Sequence, residues 1–214
     1  MEIKKLSALL LGAAIAPVAV AEAAKAPDPT VTLAPAATQV VYGAATGLSG
    51  AVSSQKTGEK VTVQAEACGQ NAFKNAGTAT TAAAGAWSLA VRPTVTTQYR
   101  AKVKNSMSPT VTVAVRPRVT LSKAGKRKYK VRITAEQSFA GRLVTFQRFR
   151  ASSQSWVRVR KATLRQVSTG PGATVVSGIT FRSGLKTGRR VRVVLAKAQA
   201  GACYLAGVSN VIRS

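Results

Sequence analysis

The carboxylates of this 214-residue chain are few and far apart. Six acidic residues stand against 32 lysines and arginines, and the sequence contains no histidine. Glu59 and Glu66 are seven positions apart on one predicted strand, so the odd spacing points them to opposite faces, about 23 Å apart. Acid–base catalysis needs two carboxylates that converge on one pocket, and a serine triad or an ordinary zinc site needs histidine. These residues therefore predict isolated surface charges and no catalytic, metal or cofactor site.

The positive charge is concentrated in the C-terminal part of the chain. Residues 116–214 contain 15 of the 17 arginines and one acidic residue, whereas residues 28–115 contain seven basic and three acidic residues. Outward strand positions of this part form predicted ladders, and these candidate polyanion-binding residues are Lys126, Lys128, Lys130, Arg132, Arg158, Arg160, Arg190 and Arg192. A polyanion could replace the counter-ions that such a field attracts, and only Phe149 and Trp156 could add stacking on bases. The alternative is that the charge keeps the protein soluble and protects its sheet edges.

The first residues have the pattern of an export signal. Two lysines precede an apolar run at 6–20, and small residues occupy the −3 and −1 positions of a cleavage site after Ala21. We predict a signal peptide at residues 1–21, followed by a Pro-rich lead at 22–30. The apolar run is shorter than the ~20 residues that span a bilayer and contains Pro17, which argues against a membrane anchor. The mature chain is therefore expected to be extracellular and to have no transmembrane segment.

Short β-branched runs separated by Gly, Ser, Asn and Pro fill the rest of the chain. Apolar residues alternate with polar ones at 60–67 and again at 128–135, which is the period of a half-buried strand. The segment Gly-x-x-Val-Thr-Val-Gln at 58–64 recurs at an offset of 83, as Gly-x-x-Val-Thr-Phe-Gln at 141–147. The sequence therefore predicts two copies of one β unit.

The repeat also sets the predicted domain limits. The offset aligns Phe73 with Trp156, and we expect this aromatic pair to belong to the core. Pro117 ends ladder pairing on the strand that precedes it. We therefore expect one domain at 31–115 and a second, strongly basic domain at 116–214.

Several motifs of the first unit carry a family resemblance. The chain resembles the tandem bacterial immunoglobulin-like (Ig-like) domains of secreted and cell-surface proteins in four motifs: Gly-x-x-Val-x-Val-Gln at 58–64, Gly85-Ala-Trp87, Val91-x-Pro93 and Thr97-x-Tyr99-Arg100. The resemblance implies an all-β fold of two antiparallel β-sandwiches, with Trp87 as a structural residue and Tyr99 in a tyrosine corner, where the hydroxyl bonds to upstream backbone. Because Val191 stands near the position of Tyr99 in the second unit, we expect the corner in the first unit only. The family implies a scaffold or adhesive role and provides no catalytic residues.

The two cysteines fall one in each predicted unit. In the Ig topology Cys68 follows strand C of the first unit and Cys203 lies in the F–G loop of the second, so both flank the junction at 116–118. The export signal places them in an oxidising compartment, where a disulfide persists. We predict one bond between the units; two free thiols or an intermolecular bond are the alternatives.

The function predicted from these features is that of a secreted, non-catalytic structural or adhesive protein of the cell surface or extracellular matrix, without a small-molecule substrate. The alternative is a binding module whose basic second domain holds anionic polymers such as acidic polysaccharide, wall polymer or extracellular DNA. Cations on one face would favour binding, whereas cations on both sheets favour a solubility role. The predicted strands place the ladders on both sheets, which favours the structural function.

Overall fold

The structure is a computed structural model that describes residues 28–170, 172 and 174–214. The predicted signal peptide and residues 22–27 of the lead lie outside the described residues. We refer to residues 28–116 as the N-terminal half and to residues 117–214 as the C-terminal half.

The N-terminal half is built almost entirely from strands. One short 3-10 helix, at Ala83–Gly85, precedes the sixth strand. In chain order the strands are β1 (Ala34–Pro35), β2 (Gln39–Val41), β3 (Thr46–Ala51), β4 (Lys60–Ala67), β5 (Lys74–Thr80), β6 (Ala86–Val91), β7 (Thr97–Val103), β8 (Ser106–Met107) and β9 (Val111–Arg116).

These strands form two sheets. One has the order β1-β3-β6, and the other has the order β2-β9-β7-β4-β5 with β8 paired to β7. The first two strands are divided between the sheets, since β1 pairs with β3 and β2 pairs in parallel with β9. Pro35 and the residues after it allow this change of sheet, because proline cannot donate to a continuous ladder.

The C-terminal half repeats the arrangement. Its helical segments are a 3-10 turn at Ala151–Ser153 and the helix α1 at Lys197–Ala200. Its strands are β10 (Arg118–Gly125), β11 (Lys128–Ala135), β12 (Leu143–Arg150), β13 (Ser155–Thr163), β14 (Arg165–Thr169), β15 (Val175–Arg182), β16 (Arg190–Leu195), β17 (Gly207–Val208) and β18 (Ile212–Arg213). They form one sheet of order β10-β11-β15-β14 and a second of order β13-β12-β16-β17, with β18 paired to β16.

Alternation of apolar side chains explains which face of each sheet is buried. In β4, Val61 and Val63 are fully buried, as are alternate residues of β11. Rings from the two C-terminal sheets meet in the core, where the centroids of Tyr129 on β11 and Phe146 on β12 are 4.9 Å apart. The all-β class predicted from the sequence is therefore confirmed, with two facing sheets in each half.

The halves meet where β9 ends and β10 begins. Pro117 alone separates the two strands, and it is buried. Within the described residues, the ladders of named strands stay inside one half or the other. No helix of this described part has the length and apolar character needed to cross a membrane.

Candidate functional site

A disulfide joins the two halves. Cys68 follows β4, and Cys203 lies in the loop between α1 and β17. Their sulfur atoms are 2.05 Å apart and their Cα atoms 5.4 Å apart, across a sequence separation of 135 residues. Neither cysteine is free, so the structure contains the bond between the units rather than either alternative.

The loop that carries Cys203 also bonds to the N-terminal half through its backbone. The Thr96 N–H donates to the Cys203 carbonyl at 3.0 Å, and the Leu205 N–H donates to the Val115 carbonyl at 2.8 Å. Arg116 adds a third bond, because its Nη1 donates to the Ala206 carbonyl at 3.0 Å. The loop is therefore bonded to the N-terminal half at Cys203 itself and at the residues that follow it.

Tyr204, beside the disulfide, connects the halves through its side chain. It is fully buried, and its hydroxyl donates to the Thr94 carbonyl of the N-terminal half at 2.9 Å. The same hydroxyl accepts a bond of 3.1 Å from the Glu136 N–H of the C-terminal half. Burial raises the pKa of Tyr204 to about 12, so the phenol remains protonated at ordinary pH. Sequence reasoning missed this residue, because a single tyrosine in an Ala- and Gly-rich loop belongs to no periodic pattern.

A lysine on α1 holds the loop in shape. The Lys197 ammonium donates to the carbonyls of Gly201, Ala202 and Tyr204 at 2.9, 3.1 and 2.7 Å. Three carbonyls around one ammonium fix the turn that leads into Cys203, since charge-assisted bonds of this kind are stronger than neutral ones. The loop is thus positioned from its own half as well as from the other.

A second contact lies on the other side of Pro117. The Arg118 guanidinium donates to the Tyr42 carbonyl through Nε at 3.3 Å and Nη2 at 3.1 Å. The Tyr42 hydroxyl is 3.0 Å from the Thr174 hydroxyl of the C-terminal half. We call the disulfide, the 203–206 loop, Tyr204 and this contact the junction.

Removing one hydroxyl from the junction is expected to destabilise the protein. Tyr204→Phe leaves the Thr94 carbonyl and the Glu136 N–H without their buried partner, so we expect the free energy of unfolding to fall by about 2 kcal/mol. Urea denaturation measures the change. The matched control is Tyr129→Phe: that ring is also buried, but its hydroxyl makes no hydrogen bond among the described residues. Equal losses in the two variants would contradict the assigned role of Tyr204.

The raised pKa of Tyr204 also predicts that the folded protein loses stability at alkaline pH. An unfolded tyrosine loses its proton near pH 10, whereas Tyr204 in the folded protein loses it near 12. The folded state therefore binds more protons in this window, and the stability that Tyr204 contributes is complete below pH 10 and lost as the pH rises toward 12. Urea denaturation at about pH 9 and about pH 11 should show a smaller fall for Tyr204→Phe than for the native chain. An identical fall in both proteins would show that Tyr204 does not cause it.

The predicted cationic ladder at 126–132 lies on the outer face of the β10-β11-β15-β14 sheet. Lys128, Lys130 and Arg132 alternate with buried residues of β11 and face outward, as expected. The prediction that Lys126 belongs to this ladder is wrong, because Lys126 lies in the two-residue turn between β10 and β11 and not on the strand.

The ladder predicted for Arg158 and Arg160 is wrong. A β-bulge shifts the pairing of β12 with β13, so Gln147 opposes Arg158 while the buried Phe146 opposes Arg160. The bulge puts Arg160 on the opposite face from Arg158, where the side chain stays exposed on the edge strand and its guanidinium lies 5.0 Å from the Phe181 ring centroid. An extra residue in one strand reverses the facing of those beyond it, which is why alternation alone misplaced Arg160.

The sheet of β13, β12 and β16 combines arginines with aromatic rings on its outer surface. Arg192 lies over the Trp156 ring at 4.2 Å, and Arg190 lies over the Phe149 ring at 4.8 Å. The two rings meet edge to face at 5.4 Å. Together with Arg158, these four residues form what we call the arginine–aromatic face. Among residues 116–214 the only carboxylate side chain is that of Glu136, which lies at the junction.

The expectation that Phe73 and Trp156 belong to the core is wrong. Both are half-buried and lie under arginine side chains, with Arg100 placed 4.0 Å over the Phe73 ring. Gln64 accepts a hydrogen bond of 2.8 Å from Arg100 Nε, just as Gln147 does from Arg192 Nε. The glutamine and aromatic positions of the repeat therefore lie on the outer face, because aromatic rings can be shielded by a guanidinium as well as by the core.

The other two structural residues predicted from the family resemblance are buried. Trp87 is 4% exposed and Tyr99 is 3% exposed. Burial raises the pKa of Tyr99, and the neighbouring Thr97 side chain lowers it in part. Within the described residues the Tyr99 hydroxyl makes no hydrogen bond to upstream backbone, so the expected tyrosine corner is not formed there.

An open groove lies beside the N-terminal arginine–glutamine pair. It has a volume of about 570 Å³, and Lys60, Gln64 and Lys102 are among the residues that line it. Its one carboxylate, that of Glu59, is 3.9 Å from the Lys104 ammonium. The groove therefore offers hydrogen bonds and positive charge to a ligand, but it does not bring two carboxylates together for acid–base work.

No family model matches the chain, and neither does any curated protein. Among solved structures, the chain is similar to a marsupial T cell receptor at 11% sequence identity, over 86% of this chain and 100% of that chain, with a TM-score of 0.33. A TM-score of this size supports no argument about function.

Proposed function

We propose that the chain is an exported, non-catalytic structural or adhesive protein made of two Ig-like β-sandwiches that act as one rigid body. The observation that carries this proposal is the junction. A disulfide, three loop hydrogen bonds and the buried Tyr204 hydroxyl join the halves within a short stretch of chain. A spacer or adhesive module has to hold a fixed interdomain angle, and this set of bonds fixes it without a long linker.

Strand order supports the Ig-like part of the proposal. In the C-terminal half, β10-β11-β15-β14 corresponds to the A-B-E-D sheet of an Ig sandwich, and β13-β12-β16-β17 corresponds to a C′-C-F-G sheet. In the N-terminal half, β1-β3-β6 and β9-β7-β4 follow the same order without strand D.

Export is supported by the disulfide and by the sequence of residues 1–21. Disulfides persist in oxidising compartments and are rare in the cytosol. Expression of the full chain in a host with a secretion pathway tests this. We expect the protein outside the cytoplasm, beginning after Ala21, with Cys68 and Cys203 bonded. A protein that stays in the cytoplasm at full length with both thiols reduced would overturn the proposal.

A second candidate function, the binding of acidic polysaccharide, is favoured by the arginine–aromatic face. Arg158, Arg190 and Arg192 share one sheet surface that holds no carboxylate, and two of them are fixed over aromatic rings. Fixed guanidinium groups lose less conformational entropy on binding than free ones. The three cations on β11, on the opposite sheet, make no cation–π contact among the described residues, so they lack this fixed orientation.

The geometry favours polysaccharide over nucleic acid. Single-stranded nucleic acid binds by stacking its bases on free aromatic faces, whereas the faces of Trp156 and Phe149 are covered by arginines. The major groove of DNA admits a helix or a two-stranded ribbon, and a broad sheet face is too wide to enter it. Sulfate and carboxylate groups along a polysaccharide need only outward guanidinium groups.

Affinity chromatography of the full oxidised chain tests the second candidate. Heparin and double-stranded DNA are compared at several salt concentrations, since electrostatic binding weakens as salt rises. We expect retention on heparin at low salt and weaker retention on DNA. No retention on heparin at low salt, or tighter binding to DNA, would overturn this candidate.

A further inference from the structure

Two arginines, one in each half, are held in the same unusual way. Arg100 and Arg192 each donate from Nε to a glutamine Oε1 at 2.8 Å. Each guanidinium carbon lies over a ring, 4.0 Å from the centroid of Phe73 and 4.2 Å from that of Trp156. One edge and one face of each guanidinium are thus occupied.

The two arrangements occupy equivalent places in the two halves. Gln64 on β4 is directly opposite Arg100 on β7, and Gln147 on β12 is directly opposite Arg192 on β16. The glutamines are 83 residues apart, as are the two rings. The same three-part device therefore recurs at one register position of the repeated unit.

The device leaves the binding edge of each guanidinium open. An arginine has five N–H donors, and the Nη donors of Arg100 and Arg192 make no hydrogen bond among the described residues. A planar fork of this kind matches the two oxygens of a carboxylate, sulfate or phosphate group. Because the Nε bond and the ring already fix the orientation of the guanidinium, its Nη donors can bind an anion without a further loss of side-chain freedom.

The choice of glutamine also points to a ligand. A glutamate would bond to Nε equally well, but it would cancel the arginine charge, whereas the neutral amide leaves the charge in place. Arg192 is half-buried, so part of its hydration is removed, and this burial lowers the pKa of its guanidinium. A role limited to packing gives no reason to keep this charge uncompensated.

We propose that Arg192 with Gln147 and Trp156, and Arg100 with Gln64 and Phe73, are two equivalent oxyanion sites, each of which binds one sulfate or carboxylate group of an acidic polysaccharide. This inference rests on the second candidate function and assigns its binding residues. The Arg192 site is the stronger one, because Arg158 and Arg190 raise the positive potential around it. The Arg100 site borders the 570 Å³ groove through Gln64, which gives a sugar unit room beside its acidic group.

Substitutions that keep the charge and remove the fork test the inference. In the full oxidised chain, Arg192→Lys is expected to weaken heparin binding about tenfold and Arg100→Lys about threefold, since an ammonium cannot stack or bind an oxyanion through two parallel bonds. The matched control is Arg165→Lys, at an exposed position of β14 on the opposite sheet, which should leave the affinity unchanged. Polygalacturonate, which carries carboxylates only, separates carboxylate binding from sulfate binding.

A second measurement keeps the test valid if a variant loses stability. In the native protein, the Nε–H resonances of Arg100 and Arg192 should shift in NMR spectra when heparin is added, while that of Arg165 stays in place. If the two lysine variants bind heparin as tightly as the native chain and these resonances do not move, the assignment of the two oxyanion sites is wrong. Binding of polysaccharide by another part of the surface would remain supported. If the native chain binds neither polysaccharide at low salt, both the sites and the second candidate function are overturned.

Discussion

Replacing both cysteines with serine is expected to lower the free energy of unfolding by about 4 kcal/mol, because the bond closes a loop of well over a hundred residues in the unfolded chain. The two tryptophans allow each half to be followed separately, since Trp87 lies in the N-terminal half and Trp156 in the C-terminal half. Urea denaturation of Trp87→Phe and Trp156→Phe backgrounds, monitored by fluorescence, then reports one half at a time. With the disulfide present, we expect the two transitions to coincide, and without it they should separate.

The serine variant also distinguishes the bond from the surrounding contacts. Reduction of the native protein with dithiothreitol should give the same loss as Cys68→Ser/Cys203→Ser. A loss below about 1 kcal/mol in both cases would mean that the disulfide adds little beyond the loop hydrogen bonds, which contradicts its assigned role.

Neutralising the arginine–aromatic face should have the largest effect on polysaccharide binding. The triple variant Arg158→Gln/Arg190→Gln/Arg192→Gln removes three charges from one sheet surface. We expect its affinity for heparin at low salt to fall about 100-fold, and its salt dependence to become shallower, since fewer counter-ions are released on binding. Isothermal titration at two salt concentrations measures both quantities.

The opposite sheet provides the matched control for this triple variant. Lys128→Gln/Lys130→Gln/Arg132→Gln removes the same charge from outward positions of β11. We expect this variant to lose less than about tenfold, through the weaker general field alone. Equal losses in the two triple variants would show that net charge, and not the arrangement of the face, determines binding.

Local patterns were sufficient to predict many of the strands. The alternations at 60–67 and 128–135 coincide with β4 and β11 at both ends. This agreement has a physical reason, because one face of each strand is buried and the other is solvated, so the period of two is visible in the residues themselves.

The wrong predictions at the cationic and aromatic positions arise from pairing and side-chain contacts between different strands. Arg160 lies on the opposite face from Arg158 because of a bulge in the pairing of β12 with β13, and a single strand sequence contains no sign of it. The alignment with Phe73 predicts Trp156 in the core, but Arg192 from another strand covers its ring. Neither contact can be read from residues that are near in sequence.

The junction was only partly predictable. The positions of Cys68 and Cys203 could be argued from strand order, because topology fixes the end of the sandwich at which each loop lies. Tyr204 could not be found in this way, since its partners Thr94 and Glu136 are distant in sequence and it bonds to their backbone groups. Almost every residue type offers the same backbone N–H and carbonyl groups, so the sequence does not indicate which residue will accept or donate such a bond.

The central claim is that the junction makes the two halves one rigid body, and backbone ¹⁵N relaxation of the oxidised protein tests it most directly. If the halves are locked together, amides of β4 and β7 and amides of β12 and β16 will report one rotational correlation time and one diffusion tensor for the whole chain. Distinct and shorter correlation times for the two halves, with the Cys68–Cys203 bond intact, would contradict the claim.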